Sequence, residues 1–324
     1  MSVMLSVIVP MYNPGEFLIP LLNSLASQTM IQMEVIIVND GSTDGSQKTV
    51  EEYAKNHKNF RVIHQNNKGV SEARNTGIRI ASGKYISFPD SDDELHPEMY
   101  EVLCYEAEKN NLDIMQCNGE RRITGSESAR VIFPYERLKS TAIIKGVDWL
   151  EEALQSRRFL HVVWLAVYNL DFIRRNDLYF EPELHHQDIP WTTNALILAR
   201  QVKYTDRVLY WQNIHNQSVS NRVRVGSENV FYQRHYMRIC EMLVVINRFY
   251  QKEVKHRPAL YWQITHEALS ICHSARREPE IHARKQIATE FFGRSMHKLM
   301  WVNARGLQQR WHVLLWLRRM YSYL

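Results

Sequence analysis

Lys84-Tyr-Ile-Ser-Phe-Pro-Asp-Ser-Asp-Asp-Glu-Leu-His-Pro97 alternates Tyr85 and Ser87 with Ile86 and Phe88, stops at Pro89, and then presents Asp90, Asp92 and Asp93. The alternation reads as a short buried strand, and the proline marks its end. Three acids at one strand end repel each other, and a divalent cation relieves that repulsion. Hard oxygen ligands favour Mg²⁺ or Mn²⁺ over zinc, and an ion held by one or two carboxylates completes its shell with water and phosphate oxygens. The simpler alternative is a solvated turn, with an Asp capping the helix that starts near His96 and Pro97.

The same pattern repeats through the first 120 residues. Leu5–Val9, Glu34–Val38, Phe60–His64, Lys84–Phe88 and Asp113–Cys117 are short β-rich runs. Between them stand helical spacings: Phe17, Leu18, Leu21, Leu22 and Leu25; Val50, Tyr53 and Ala54; Ala73, Ile80 and Ala81; Val102, Leu103 and Ala107. This alternation predicts an α/β fold, a mainly parallel sheet sandwiched by helices. Ligands of such sheets bind beyond the carboxyl ends of the strands. Three polar clusters fall at that edge: Pro10-Met-Tyr-Asn13, Asn39-Asp-Gly-Ser42 and Asp90-Ser-Asp-Asp93. Strand 1 leads into no Gly-x-Gly-x-x-Gly turn, which argues against a dinucleotide oxidoreductase.

Residues 119–141 read as a loop or hairpin. Order returns with an amphipathic segment at Val147–Leu154, an apolar run from Phe159 to Leu170, a helix through Ala199 and a strand-like Val202–Trp211. Beyond about residue 226 only helical periodicity remains, near 228–250, 258–275, 281–301 and 307–322. The expected division is 1–225, with a nucleotide half at 1–118 and an acceptor half at 119–225, followed by a helical region at 226–324.

The net charge of +5 is unevenly distributed. From Phe291 to Leu324 there is no acid, while Arg294, Lys298, Arg305, Arg310, Arg318 and Arg319 supply +6, so the first 290 residues carry −1. The tail also holds Trp311, Leu314, Leu315, Trp316 and Tyr321. Such a helix suits an anionic membrane surface, and equally a helix packed on the domain. No apolar run reaches bilayer-spanning length, no secretory leader is evident, and four cysteines without metal spacing suit a reducing compartment. The expected location is the cytoplasm, peripheral on the inner face of the inner membrane.

Ser6-Val-Ile-Val-Pro-Met-Tyr-Asn13, Glu34-Val-Ile-Ile-Val-Asn-Asp-Gly-Ser-Thr-Asp44, Asn67-Lys-Gly-Val-Ser-Glu-Ala-Arg-Asn-Thr-Gly77 and Phe88-Pro-Asp-Ser-Asp-Asp-Glu-Leu95 resemble, in order, the signatures of family 2 glycosyltransferases. The clear match covers residues 3–117, with a weaker one to about Asn221. The resemblance implies a GT-A (Rossmann-like) fold and inverting, metal-dependent transfer of a sugar from a nucleotide diphosphate. It implies that Pro10, Tyr12 and Asn13 underlie the base and that Asp40 accepts the uracil N3–H. Arg74 and Asn75 would contact the base or diphosphate, and Asp90 the ribose or metal-bound water. Asp92 would bind Mn²⁺ or Mg²⁺, with Asp93 supporting.

Gln187-Asp188-Ile189-Pro190-Trp191 matches a family position that often reads Glu-Asp, making Asp188 the candidate catalytic base; Gln187 departs from that pattern. Asp188 could alternatively cap the helix that begins at Pro190. His215, Arg222 and Arg224 are candidates for contacts with the diphosphate or donor sugar. Trp164 and Trp191 are candidates for stacking on sugars, or for core packing. No Gln-x-x-Arg-Trp motif of processive synthases is present, so a single transfer is expected. Within the family the chain looks most like enterobacterial enzymes of the lipopolysaccharide core, glucuronosyltransferases above all. That implies a UDP-sugar donor, a membrane-associated glycan acceptor and no nucleic-acid partner. The rival reading is a non-catalytic binding protein, a degenerate transferase domain with a basic tail.

Overall fold

The computed structural model describes residues 2–123, 125, 129–215 and 222–324. Residues 216–221, which follow His215, lie outside the described residues. The chain divides into two units. The first comprises Met1–Trp149, Arg158–Glu183 and Asn194–His215; the second comprises Leu150–Arg157, Leu184–Thr193 and the chain after His215. This corrects the expected boundary at residue 225. Two segments of the presumed acceptor half, including the one that carries Asp188, belong with the C-terminal helices.

The elements of the first unit follow the predicted order: β1 (Leu5–Met11), α1 (Leu18–Ala26), β2 (Met33–Asn39), α2 (Ser46–Asn56), β3 (Phe60–His64), α3 (Val70–Ile80), β4 (Tyr85–Ser87), β5 (Glu94–Leu95), α4 (Met99–Lys109), β6 (Ile114–Ile123) and β7 (Ala129–Val131). Next come α5 (Gly146–Gln155), β8 (Ala166–Asn169), α6 (Leu170–Arg175), α7 (Asp188–Leu198) and β9 (Val202–Ile214), with the unit division falling inside α5 and α7. Strand order is β3-β2-β1-β4-β8-β6-β9-β5, and β7 pairs with β6 as the expected hairpin. The strands β3, β2, β1 and β4 are mutually parallel, but β8 enters antiparallel to both β4 and β6. The sheet is therefore mixed.

All seven residues of β1 are buried, as a strand covered on both faces requires. Its pairing with β2 runs from Leu5–Met33 to Met11–Asn39, whereas its pairing with β4 ends at Val7–Ser87. The sheet thus opens between β1 and β4 near their carboxyl ends. Met11 O accepts from Asp40 N across to β2, so the alternating backbone turns Pro10 toward the side from which β4 has departed. A proline, which has no N–H to pair, is tolerated there.

The second unit is helical: α8 (Gly226–Phe249), α9 (Gln251–Val254), α10 (Pro258–Arg277), α11 (Ile281–Gly293), α12 (Met296–Asn303) and α13 (Gly306–Tyr321). Its core joins Met237 and Cys240 of α8 to Ile271 and Cys272 of α10, Ile287 and Phe291 of α11, and Met300 of α12. The single run expected at 281–301 breaks after Gly293, where Ser295 takes a left-handed conformation with φ 59°. Helix α13 contributes Val313, Trp316 and Met320 to this core, while Leu307, Trp311, Leu314 and Leu315 stay exposed. One face of this helix therefore packs, as the second reading of the tail expects, and an apolar face remains exposed. All four cysteines are free and buried.

Candidate active site

The strand ends of the first unit build the site. At the end of β2, Asp40 is 3% exposed, and its carboxylate gathers the loop that leads into α3. Oδ1 accepts from Gln65 Nε2 (2.7 Å) and Lys68 N (2.9 Å), and Oδ2 accepts from Gly69 N (2.8 Å). An ionised carboxylate has about four lone-pair positions, so three such bonds leave room for one more donor. Beyond β1, Asn13 sits in the left-handed region, with φ 49°. It spans to the β2 loop through Thr43 N to Oδ1 (2.7 Å) and its own N–H to Ser42 Oγ (3.1 Å). Tyr12 beside it is 52% exposed.

Arg74, on α3, is buried, with its guanidinium 5.1 Å from the Phe180 ring centroid and Nη2 2.9 Å from Asp90 Oδ1. This bond from a buried guanidinium to a carboxylate that is about a third exposed holds Asp90 at the mouth of the opening. Asn75 does something other than expected. Its Oδ1 accepts Phe180 N (2.8 Å) and its Nδ2 donates to Phe180 O (2.9 Å), all in the interior. It is a clip on the backbone 105 positions away, so the expected nucleotide contact is withdrawn.

The acid cluster is organised from β9. Tyr210 donates to Asp93 Oδ2 (2.7 Å) and accepts from Asp90 N (3.1 Å). Asn213 donates its N–H to Asp93 Oδ1 (2.8 Å) and its Nδ2 to Asp92 O (3.0 Å). Asp93 is 2% exposed. Burial, followed by repulsion from Asp92 and Asp90, pushes its carboxyl well above the usual range despite those two bonds. Buried and bonded at both oxygens, Asp93 supports the loop from within. Asp92 differs: its side chain is about a third exposed, and Oδ2 lies 3.0 Å from His215 Nε2, whose ring stacks on Phe17 at 3.9 Å. Sequence reasoning missed Tyr210 and Asn213, because nothing local to β9 indicates that it crosses beside the acids.

Among the described residues no group of three or more acids, histidines or cysteines is arranged to hold a metal ion. Asp92 and His215 do present one oxygen and one nitrogen side by side. That donor set fits Mg²⁺ or Mn²⁺ held mainly by a ligand's own phosphates, and does not fit an all-protein cage.

The remaining candidates lie elsewhere. Trp164 and Trp191 are 2% and 4% exposed, and Trp164 stacks on Tyr210 at 4.5 Å. Both are core aromatics, the second of the two readings given for them. In the helical unit, Asp188 opens α7 and is half-buried, after a turn in which Glu183 and His186 are both left-handed (φ 56°). Pro190 stands third in that helix, not first. Arg222 pairs with Glu228 at 3.0 Å, and Arg224 lies 3.9 Å over the Tyr232 ring. Both line a cavity of the helical unit.

An α/β sheet opening between β1 and β4, with an acidic loop at its mouth, defines a GT-A nucleotide-sugar transferase fold. Comparison with known proteins agrees. Residues 6–152 match glycosyl transferase family 2, and residues 225–324 match the C-terminal domain of glycosyltransferase YibD. The chain is 42% identical over 319 residues to the uncharacterised glycosyltransferase YibD of Escherichia coli K12, across 98% of this chain and 93% of that protein. It is 37% identical over 210 residues to the uncharacterised glycosyltransferase EpsJ of Bacillus subtilis, across 64% of this chain and 60% of that one. In fold it is similar to S. aureus TarS 1–349 in complex with UDP-GlcNAc (TM-score 0.64, 18% identity, 98% and 92% coverage). A second likeness is the mannosyltransferase PcManGT of Pyrobaculum calidifontis in complex with GDP-Man and Mn²⁺ (TM-score 0.54, 15% identity, 97% and 86% coverage). This chain belongs to the family 2 glycosyltransferases and is a glycosyltransferase.

Proposed function

We propose that the enzyme transfers a single sugar, with inversion, from a UDP-sugar to a membrane-associated glycan such as a lipopolysaccharide core. The observation that carries this reading is the strand-end loop in which Arg74–Asp90 and His215–Asp92 are held at the mouth of the opening by β9. Asp92 and His215 would hold Mn²⁺ or Mg²⁺, which when bound would offset the charge of the leaving diphosphate. Asp40 uses its remaining acceptor position for the uracil N3–H, and exposed Tyr12 offers a face to the base. Asp90 takes the ribose. Asp188 is the base that accepts the proton of the attacking hydroxyl. Sequence resemblance favours glucuronate as the donor sugar.

The C-terminal helix supports a membrane-bound acceptor. Leu307 (87% exposed), Trp311 (64%) and Leu315 (51%) share a helix with Arg310, Arg318 and Arg319. This combination suits the headgroup region of an anionic bilayer. In a flotation assay with phosphatidylglycerol vesicles the protein should rise with the lipid, and the triple variant Leu307→Ser, Trp311→Ser, Leu315→Ser should stay below. Equal flotation of the two proteins would remove the membrane surface from the reading.

A thermal-shift screen of nucleotide sugars with Mn²⁺ tests the donor. The largest stabilisation should come from UDP-glucuronate. Stabilisation by another nucleotide sugar alone would discard glucuronate, and stabilisation by none would discard the donor site.

A further inference from the structure

The helical unit contains a cavity of about 580 Å³, within the usual range for small-ligand sites. Three guanidinium groups line it, those of Arg222, Arg224 and Arg277, against one carboxylate, Glu278. That carboxylate is already engaged. Its Oε1 accepts from Gly226 N (3.1 Å) and Glu280 N (3.0 Å), and its Oε2 accepts from Asn229 Nδ2 (2.6 Å). Burial opposes its charge, but these bonds outweigh that and hold Glu278 below the usual carboxylate range, so it stays a fixed anion satisfied by the protein. Glu228 pairs with Arg222 at 3.0 Å and lies 3.9 Å from Arg224 Nε, so one further carboxylate partly offsets these two arginines.

A second, independent feature points to a ligand. Gln233 lines the cavity and is 4% exposed, yet its Oε1 has no hydrogen-bond partner, while its Nε2 is spent on Asn229 Oδ1 (2.9 Å). That oxygen is closed to solvent as the side chain stands, so a hydroxyl entering the cavity would relieve its cost only after the Gln233 side chain turns. His186 adds a neutral imidazole. Burial first, then electrostatic repulsion from His185, Arg224 and His235 against a second proton, lowers its pKa to about 4, and it bonds the Tyr232 hydroxyl. The wall is therefore cationic from arginine, aromatic from Tyr232 and Tyr236, and short of a donor at Gln233. His186 lies two residues before Asp188, so this cavity adjoins the segment that carries the candidate base.

We propose that this cavity binds an anionic saccharide, a phosphorylated or carboxylated sugar, as the acceptor-side glycan. The arginines take the anionic group and Gln233 Oε1 accepts a sugar hydroxyl. The assignment to the acceptor rests on the transferase reading above; the ligand chemistry rests on the cavity alone.

Titration calorimetry of the full-length protein tests it, using glucose 6-phosphate, glucuronate, glucose and inorganic phosphate as probes. At least one anionic sugar should bind, with glucose and phosphate each weaker by about fivefold or more, since each lacks one of the two recognised features. Arg277→Gln, at an exposed position, and Gln233→Leu should each weaken the anionic sugar by about fivefold or more and leave UDP affinity within about twofold. Absence of binding by both anionic sugars would overturn the proposal, as would binding untouched by either substitution, displacement by UDP, or phosphate binding as tightly as the sugars. UDP is titrated on the same samples. Failure of the donor site then appears as lost UDP binding, and failure of the cavity as lost sugar binding with UDP intact.

Discussion

Asn75→Ala distinguishes a structural clip from a nucleotide ligand. In the folded protein the Asn75 amide satisfies both backbone groups of Phe180, at 2.8 and 2.9 Å, with no access to solvent. Alanine leaves a buried N–H and a buried C=O unpaired. At about 1–3 kcal/mol for each orphaned group, the expected loss is about 4 kcal/mol. Asn75→Asp should do no better, because it keeps an acceptor for Phe180 N but turns a carboxylate oxygen on Phe180 O. Urea unfolding followed by circular dichroism measures the loss, with the two units fitted as separate transitions. The sheet unit's midpoint should fall while that of the helical unit stays in place. A stability change below about 0.5 kcal/mol with an about tenfold drop in UDP affinity would instead mark Asn75 as a direct ligand.

Three further substitutions follow from packing and charge. A Cβ on Gly83 would lie 2.5 Å from Ser6 N and 2.7 Å from Leu5 C, backbone atoms of β1 that cannot yield, whereas a Cβ on Gly293 meets nothing within 4 Å. Gly83→Ala should therefore cost about 3 kcal/mol and Gly293→Ala less than about 0.5, both read by thermal denaturation. Burial of Glu267 raises its pKa from 4.5 to about 7. Folding is thus favoured most below pH 4.5, and that contribution is lost as pH rises toward 7. At 1.36 kcal/mol per unit the swing is about 3 kcal/mol. Glu267→Gln should remove this slope and be the more stable protein at pH 8; a variant that follows the wild-type pH profile would contradict the assignment.

The sheet edge was legible because strand ends announce themselves. Apolar runs stop at Pro10, Asn39 and Pro89, and the polar residues after them fall on one edge once the strands are parallel. Asp40, Arg74, Asp90 and Asp92 were found on that basis and by resemblance. Three things were hidden, for different reasons. The role of Asn75 depends on a backbone 105 residues away, which no local pattern encodes. Trp164 and Trp191 look alike whether they face a ligand or a core, and only packing decides between these. Asp93 cannot be told from Asp92 by composition; it is Tyr210 and Asn213, arriving from β9, that bury the one and leave the other half open. The unit boundary was misplaced because residues 184–193 leave the sheet unit for the helical one, a change of company with no change of composition.

Asp92 stands as the proposed metal-side residue of a nucleotide-diphosphate site. Calorimetry of UDP binding with Mn²⁺ and with EDTA, on the wild-type protein and on Asp92→Asn, tests it most directly. Mn²⁺ should tighten UDP binding to the wild-type protein by at least about tenfold, about 1.4 kcal/mol, and should leave the folded variant unchanged. Equal UDP affinity in Mn²⁺ and EDTA, or a Mn²⁺ effect that survives in Asp92→Asn, would contradict it.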